Sequence, residues 1–226
     1  RVTKTETVPF TGEFDKVKCT QFCALRNCPV TSANLTPQDC ASCYSQEIVE
    51  GELVSDSGRR YPITGGIPRL LSESTAGFLL KNERSFSLEW KYFRFGERNW
   101  GQDIAFRKRL FLNALGEEPN RLRGKVICDA GCGSGLLSME MARSFDMEVV
   151  ALDLATGIEK AYHENKSPHV HFVQGSVLEP PLKQQVADYV YCAGVLVALP
   201  SPRAGFGALS KCVKSKGRCF IWLYHP

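Results

Sequence analysis

An apolar run that ends in an acid and leads into three alternating glycines constrains the fold of this chain more than any other feature. Residues 126–135 have the sequence Val-Ile-Cys-Asp-Ala-Gly-Cys-Gly-Ser-Gly. Glycines are needed where the backbone turns sharply, adopts φ angles closed to other residues and lets a ligand contact the main chain. Residues 136–145 can then form a helix. The segment predicts a strand, a tight loop that cradles a nucleoside ligand, and a helix.

The glycine spacing distinguishes between two kinds of nucleoside ligand. A dinucleotide site places pyrophosphate on the helix N-terminus and spaces its glycines G-x-G-x-x-G. The spacing here is G-x-G-x-G, and Asp129 stands at the end of the strand. A carboxylate there would repel pyrophosphate but suits a ligand that carries an ammonium and a sulfonium group. S-adenosylmethionine is such a ligand, and we predict that it is the cofactor.

A second acidic strand end follows the glycines. Residues 148–153 form another short apolar run, which ends in Asp153 about twenty residues after the loop. Its carboxylate can accept hydrogen bonds from both ribose hydroxyls, and bonds to a charged group contribute roughly 1.5–3 kcal/mol each. The alternative is a solvated acid at a strand end. Because two acidic strand ends flank one glycine loop, we favour the ribose-binding role.

The segment 126–135 resembles the first motif, D-x-G-x-G-x-G behind an apolar strand, of class I S-adenosylmethionine-dependent methyltransferases, of the type found in ubiquinone and menaquinone biosynthesis. The resemblance implies an α/β fold with a Rossmann-like, mainly parallel sheet. Strand-like and helix-like segments alternate along the same part of the chain, which agrees with that fold. By the family's pattern the cofactor-binding residues are Asp129, Gly131, Cys132, Gly133, Gly135, Asp153, Leu154, Ser176, Val177, Cys192 and Gly194.

The chain departs from the family's pattern at two places. Family members usually carry an acid at the position of Ser176, where it faces the adenine amino group. Many also have paired histidines at the positions of Val197 and Ala198. The sequence offers no strong candidate for a general base near Gly194, so we assign no catalytic residue.

After the second acidic strand end, the sequence predicts a third strand over 169–173 and a fourth over 187–192. The C-terminal segment then predicts a helix over 203–213, a turn at 214–217 and a fifth strand over 218–224. The resembled fold continues with a further helix and two more strands, so we expect the sequence to be incomplete at this end. An apolar edge strand with unpaired backbone groups is prone to aggregate unless it is covered. We therefore expect either a protein partner or a longer C-terminal segment at this edge.

Five cysteines near the N-terminus form a separate pattern. Cys40 and Cys43 have the two-residue spacing that lets two sulfurs bind one tetrahedral zinc ion. Residues 50–71 resemble a small zinc-ribbon-like module that serves as an activator subunit of eukaryotic tRNA, rRNA and protein methyltransferases. Metal-bearing versions carry a second cysteine pair where this chain has Val54 and Ser57. The candidate zinc ligands are Cys28, Cys40 and Cys43, completed by Cys19 or Cys23.

These cysteines allow other interpretations. Loss of the second pair leaves a metal-free module as the alternative to a zinc site. Disulfides require an oxidising compartment, whereas a fold that uses S-adenosylmethionine belongs in the reducing cytosol. The spacing of Cys19, Cys23 and Cys28 is C-x3-C-x4-C, which differs from the C-x3-C-x2-C motif of radical S-adenosylmethionine enzymes. We therefore expect a cytoplasmic protein whose cysteines are thiols or metal ligands.

Composition indicates a globular protein with a small satellite module. The expected domains are a cysteine-rich, zinc-ribbon-like module over 1–72, a helical linker or lid over 73–123 and a cofactor-binding core over 124–226. In the linker, Trp90, Phe93 and Trp100 either shield the ligand or dock their helix on the sheet, and both roles stay open.

The net charge of the chain does not indicate a nucleic-acid partner. A net charge of +4 and a pI near 8.5 are too mild to indicate a polyanionic partner. We interpret the basic run at 107–109 as a solvated helix face. The sequence contains no apolar run of membrane-spanning length. A small-molecule acceptor is therefore favoured over a nucleic acid.

Together these features predict transfer of a methyl group from S-adenosylmethionine to an O, N or C atom of a small-molecule acceptor. A second class stays open, a non-catalytic methyltransferase-like binding, scaffold or activator protein, because the chain departs from the resembled families at Ser176, Val197, Ala198, Val54 and Ser57. A NAD-dependent oxidoreductase is a third candidate, which the glycine spacing and Asp129 oppose. Turnover of any acceptor would separate the first class from the second.

Overall fold

The computed structural model describes residues 2–7, 35–37, 46–55, 57–72, 98–99, 102–165 and 167–223. Its strands are β1 (Val2–Thr7), β2 (Leu35–Pro37), β3 (Gln46–Ser55), β4 (Arg60–Thr64), β5 (Ile67–Leu70), β6 (Arg98–Asn99), β7 (Gln102–Asp103), β8 (Val126–Ala130), β9 (Glu148–Asp153), β10 (Val170–Gly175), β11 (Ala187–Ala193) and β12 (Val213–Trp222). Its helices are α1 (Ile104–Leu115), α2 (Leu136–Phe145), α3 (Ile158–Glu164) and α4 (Pro202–Ser210).

The centre of the main sheet is parallel. Its strands lie in the order β10-β9-β8-β11-β12. The chain moves outward from β8 in one direction through β9 and β10, and in the other direction through β11 and β12. In open α/β sheets, ligands bind beyond the carboxyl ends of the strands at such a reversal of strand order. The prediction of a Rossmann-like, mainly parallel sheet is confirmed.

An antiparallel meander, formed by β1 to β5, extends this sheet beyond β10. Strands β1, β2 and β4 pair with β3, and β4 pairs with β5. Strand β5 then runs parallel to β10, with Arg69 opposite Gln174 and Leu70 opposite Gly175. The N-terminal part of the chain therefore covers the edge of β10 and joins the core in one ten-stranded sheet.

Apolar side chains pack against both faces of the sheet. Every residue of β8 is buried, as expected for a parallel strand between two layers. One face joins Leu53 of the meander to Leu209 of α4 through the side chains of the central strands. On the other face α1 and α2 pack together, where the rings of Phe111 and Phe145 stack with centroids 5.8 Å apart.

Helix α1 has defined caps at both ends. The side chain of Asp103 accepts a hydrogen bond from the Phe106 amide at 2.7 Å, and Gly116 ends the helix with a φ of 61°. An N-cap of this kind contributes about 1 kcal/mol. The basic face predicted to be solvated is partly engaged, since Lys108 pairs with Glu140 of α2 at 3.0 Å. None of the helices in the described ranges is long and apolar enough to cross a membrane.

The turn predicted at 214–217 is part of β12, and the helix predicted before it ends early, with α4. Val213 pairs with Ala187, and Arg218 pairs with Tyr189. Five steps along β12 therefore match two steps along β11. Because strand pairing resumes on both sides, the extra residues form a bulge inside the strand rather than a connection between elements.

A cluster of three titratable side chains lies at the amino end of β9 and β10. The Glu148 carboxylate bonds His169 Nδ1 at 2.8 Å and His171 Nε2 at 2.9 Å, and its side chain is only 9% exposed. Burial acts to raise the pKa of Glu148, but the bonds to the two histidines outweigh it and lower the pKa to about 2. The ionised carboxylate therefore stabilises the pairing of these two strands.

We expect Glu148→Gln to lower the free energy of unfolding by roughly 3 kcal/mol at pH 6, the amount that corresponds to lowering the pKa of Glu148 from 4.5 to about 2. Because the folded pKa lies below the unfolded value, this contribution is present above about pH 4.5 and is lost as the pH falls toward 2. Urea unfolding between pH 6 and pH 2.5 measures it. The matched control is Glu164→Gln on the surface of α3, and equal effects of the two substitutions would contradict the assignment.

Candidate cofactor-binding site

The glycine loop between β8 and α2 adopts backbone angles that favour glycine. Gly131, Gly133 and Gly135 have φ angles of 82°, 55° and 68°. A Cβ atom on Gly131 would lie 2.2 Å from Cγ2 of Val195 and would clash with it. Because a β-branched side chain is restricted in χ1, Val195 cannot easily rotate away. The alternating glycines are therefore required by the turn itself and by the close approach of the loop after β11.

The end of β9 holds this loop in place. The amides of Gly131 and Cys132 both donate to the Leu152 carbonyl, at 2.7 Å and 3.1 Å. The Gly133 amide donates to Oδ2 of Asp153 at 2.7 Å. Three consecutive amides of the loop are thus directed at the carboxyl end of the neighbouring strand, which fixes the position of the loop relative to Asp153.

Asp153 has hydrogen-bonding capacity left for a ligand. Its Oδ1 accepts from the Ala155 amide at 2.8 Å, and the backbone of Gly133 and of Leu154 also donates to this carboxylate. An ionised carboxylate offers about four lone-pair sites, so three backbone donors leave about one site for a ligand. Burial raises the pKa of Asp153, and the bonds from the backbone amides oppose that shift. The remaining acceptor site suits a ribose hydroxyl.

Asp129, at the end of β8, is almost fully buried. Its Oδ2 accepts from the Ser138 hydroxyl at 2.6 Å, on the first turn of α2. Burial raises the pKa of Asp129 to about 6, while the Ser138 bond and the positive charge of Arg107 act to lower it. A buried carboxylate in such a place gains much from an ammonium partner, because the low local dielectric strengthens their attraction.

The remaining predicted residues lie at the same edge of the sheet or close beneath it. Ser176 and Val177 follow β10 and are buried, and the Ser176 hydroxyl accepts from the Leu178 amide at 3.1 Å. Gly194 follows β11 with a φ of 73°, and its amide donates to the Trp222 carbonyl at 3.0 Å. The side chains of Cys132 and Cys192 are buried in the apolar core.

The predicted residues therefore meet at the carboxyl ends of four adjacent strands, β10, β9, β8 and β11. Two carboxylates and a glycine loop stand at the centre of this edge, and the segments after β10 and β11 stand on either side. This arrangement fits an adenosyl ligand with an amino-acid tail. Its role in binding remains a prediction.

Sequence analysis missed three side chains that act on the site. Ser138 and Arg107 act on Asp129 from α2 and α1. Gln174 donates from Nε2 to the Leu154 carbonyl at 2.9 Å and so holds the segment after β9. A polar residue at the end of the apolar strand β10 was the available signal for Gln174. Arg107 gave no signal, since the sequence does not show which charge of the basic run acts on Asp129.

Several predicted residues lie outside the described ranges. These are the candidate zinc ligands Cys19, Cys23, Cys28, Cys40 and Cys43 and the aromatic residues Trp90, Phe93 and Trp100. Within the described ranges, no group of three or more His, Cys, Asp or Glu side chains is arranged to hold a metal ion. Burial raises the pKa of the thiols of Cys128, Cys192, Cys212 and Cys219, which keeps them protonated.

Comparison with known sequences finds methyltransferases among the proteins to which this chain is similar. A family model described as a methyltransferase domain matches residues 128–221. The ubiquinone biosynthesis O-methyltransferase of Klebsiella pneumoniae (strain 342) is 32% identical over 116 residues, 50% of this chain and 48% of that protein. The U6 snRNA methylphosphate capping enzyme Amus of Drosophila melanogaster is 31% identical over 102 residues, 37% of this chain and 34% of that protein. The chain spans about half the length, or less, of these curated relatives.

Comparison with solved structures supports the fold. Phosphoethanolamine N-methyltransferase 2 of Haemonchus contortus, in complex with phosphomonomethylethanolamine and S-adenosylhomocysteine, superposes with a TM-score of 0.54 at 18% identity, over 72% of this chain and 37% of that one. The [4+2]-cyclase SpnF superposes with a TM-score of 0.50 at 15% identity, over 69% and 62%. Because one of these proteins is a cyclase, the fold alone does not decide the reaction.

We expect Asp153→Ala to raise the dissociation constant for S-adenosylmethionine at least tenfold, because at least one hydrogen bond to a charged group is lost. Isothermal titration calorimetry measures it. Glu164→Ala, an exposed acid on α3, is the control and should leave the constant unchanged. An unchanged constant for Asp153→Ala would mean that the ribose is held elsewhere.

Proposed function

We propose that this chain is an S-adenosylmethionine-dependent methyltransferase. The observation that carries the proposal is the pair of carboxylates, Asp129 and Asp153, at the ends of adjacent strands with the glycine loop between them. One acid is buried and suited to an ammonium group, and the other has an acceptor site left for a ribose hydroxyl. The match of residues 128–221 to a methyltransferase domain supports the proposal independently.

The roles of the residues follow from their positions. Asp129 binds the methionyl ammonium, and the backbone of the glycine loop binds the rest of the amino-acid tail. Asp153 binds the ribose. Ser176 and Val177, after β10, contact the adenine. The serine hydroxyl makes a neutral contact where an acid would make a charged one, so this chain should bind the adenine amino group more weakly than an acid would.

Catalysis requires mainly alignment. The cofactor supplies a methyl group on a sulfonium, which is already activated for transfer. Holding donor and acceptor near attack distance can supply about 7–11 kcal/mol of the barrier through effective molarity. A general base is optional when the acceptor atom is nucleophilic enough. That suits a site in which Val197 and Ala198 offer no proton acceptor in their side chains.

We infer that the acceptor is a small molecule with an O, N or C nucleophile. The mild charge of the chain does not favour a nucleic acid. Val197 and Trp222 are exposed close to the carboxyl ends of β11 and β12, beside Gly194. An acceptor with an apolar part suits these side chains. The ubiquinone biosynthesis enzyme among the relatives makes quinone precursors a reasonable first panel.

We also propose that residues 1–72 form a zinc-ribbon-like module. The cysteine spacing and the segment 50–71 support it, and the meander of β1 to β5 is compatible with it. The ligands would be Cys28, Cys40 and Cys43 with Cys19 or Cys23. Metal analysis of the purified protein tests the zinc site, with Cys40→Ser as the variant that should lose the metal and Cys212→Ser as the control.

The second candidate is a non-catalytic methyltransferase-like protein that binds S-adenosylmethionine and acts on a partner. Ser176, Val197 and Ala198 favour it, since each lacks a group that is frequent in the resembled enzymes. Incubation with S-adenosylmethionine that carries a labelled methyl group, together with a panel of phenols, amines and quinone precursors, separates the two. Enzyme-dependent label in any acceptor, with release of S-adenosylhomocysteine, supports the first candidate. Tight cofactor binding without transfer to any acceptor supports the second.

We expect the affinity for S-adenosylhomocysteine to fall below pH 6. The pKa of Asp129 in the free protein is about 6, so below that value the carboxyl is neutral and no longer attracts the ligand's ammonium. The dissociation constant should therefore be about tenfold higher at pH 5 than at pH 7. Calorimetry across this range measures it. The Asp129→Asn variant should bind weakly with a flat pH profile, and a flat profile for the unmodified protein would contradict the role of Asp129.

A further inference from the structure

Arg69 connects the N-terminal meander to the candidate cofactor site. It lies on β5, and its side chain is only 15% exposed. Its guanidinium donates to Oε1 of Gln174 at 3.2 Å, to the Thr64 carbonyl at 3.2 Å and to Oε1 of Glu159 on α3 at 2.8 Å. A single half-buried side chain therefore joins β4, β10 and α3, although it belongs to none of them.

The contact with Gln174 fixes the orientation of an amide. A guanidinium has only donors, so the atom of Gln174 that faces Arg69 must be the amide oxygen. The NH2 end must then point the other way, where it donates to the Leu154 carbonyl at 2.9 Å. Gln174 is itself buried, and so its orientation has to satisfy both neighbours. Arg69 thereby decides which group Gln174 presents to the segment after β9.

The strand register carries this effect to Asp153. Arg69 lies opposite Gln174 in the pairing of β5 with β10, and Gln174 lies opposite Asp153 in the pairing of β10 with β9. Registered residues of parallel strands point to the same face, which places the three side chains in one row. Asp153 in turn binds the Gly133 amide of the glycine loop. The row runs from the meander to the centre of the site.

Two further contacts show that the meander is fitted closely to this side of the core. At the turn between β4 and β5, a Cβ atom on Gly66 would lie 2.0 Å from the Tyr162 hydroxyl of α3. Ser72, just after β5, donates to the Glu179 carboxylate in the loop that follows Ser176. Arg69 lies between these contacts and has little freedom to move independently of the core.

We propose that Arg69 is a positioning residue of the cofactor site, which acts through Gln174 on the segment that carries Asp153 and Leu154. The inference rests on the proposed function for its ligand, but the contacts that carry it are internal to the protein. Its consequence is that the N-terminal meander sets the affinity of the core for its nucleoside. The meander would then be a part of the site rather than an independent attachment.

The test compares Arg69→Met with Arg60→Met in calorimetric titrations with S-adenosylhomocysteine. Arg60 lies in the same meander, but its side chain is 64% exposed and pairs with Glu52 at the surface. Arg69→Met should raise the dissociation constant about five- to tenfold, with a stoichiometry near one. Arg60→Met should stay within twofold. A partly unfolded variant would instead lower the stoichiometry at an unchanged constant, and that result would overturn the proposal.

A conservative variant and a double variant test the route through Gln174. Arg69→Lys keeps one donor for the Gln174 oxygen but cannot reach all three partners, so it should restore part of the affinity. Gln174→Met should weaken binding as Arg69→Met does, and the double variant should be no worse than either single one. Additive losses would show that Arg69 does not act through Gln174 and would overturn this part of the account.

A ligand-free measurement keeps this inference separate from the proposed function. The amides of Gly133 and Ala155 are held by the Asp153 carboxylate, so their hydrogen exchange reports on its position. In Arg69→Met both should exchange faster than in the unmodified protein, and in Arg60→Met they should not. Failure of the unmodified protein to bind S-adenosylhomocysteine would count against the proposed function alone. Unchanged exchange in Arg69→Met would count against the role of Arg69 alone.

Discussion

The hydrogen bond between the Gly133 amide and the Asp153 carboxylate joins the glycine loop after β8 to the end of β9, and the site depends on it. The glycine loop can approach β9 this closely because its glycines take positive φ angles. The half-buried carboxylate is in turn stabilised by the backbone amides that donate to it, including those of Gly133 and Ala155. Each feature requires the other. A loop without these glycines would lose its tight turn, and Asp153 would lose the Gly133 amide as a donor.

The two acids of the site are costly to ionise in the free protein, whereas the ionised Glu148 contributes to stability. Burial raises the pKa of both Asp129 and Asp153, which means that each is costly to keep ionised in the free protein. Glu148, at the other end of β9, is ionised easily because two histidines face it. Strand β9 therefore carries a stabilising carboxylate, Glu148, at one end. The hydrogen bonds described for Asp153, at the other end, come from backbone amides. Such a contrast is typical of a strand that ends in a binding site.

Sequence analysis succeeded where the chemistry is local and failed where it depends on packing. The glycine loop and its flanking acids could be predicted because turn geometry and charge act within a few residues. The bulge at 214–217 could not, because pairing with β11 overrides the turn propensity of that segment. The row that joins Arg69 to Asp153 spans three strands far apart in sequence, and only their register brings it together.

The central claim is that this edge of the sheet binds the nucleoside of S-adenosylmethionine. Calorimetric titration of the intact chain with S-adenosylhomocysteine, with NAD as a control, tests it most directly. The account predicts one site per chain with a dissociation constant on the order of micromolar, and no heat with NAD. Absence of binding by a chain whose folding is shown by a cooperative unfolding transition, or equal binding of NAD, would contradict it.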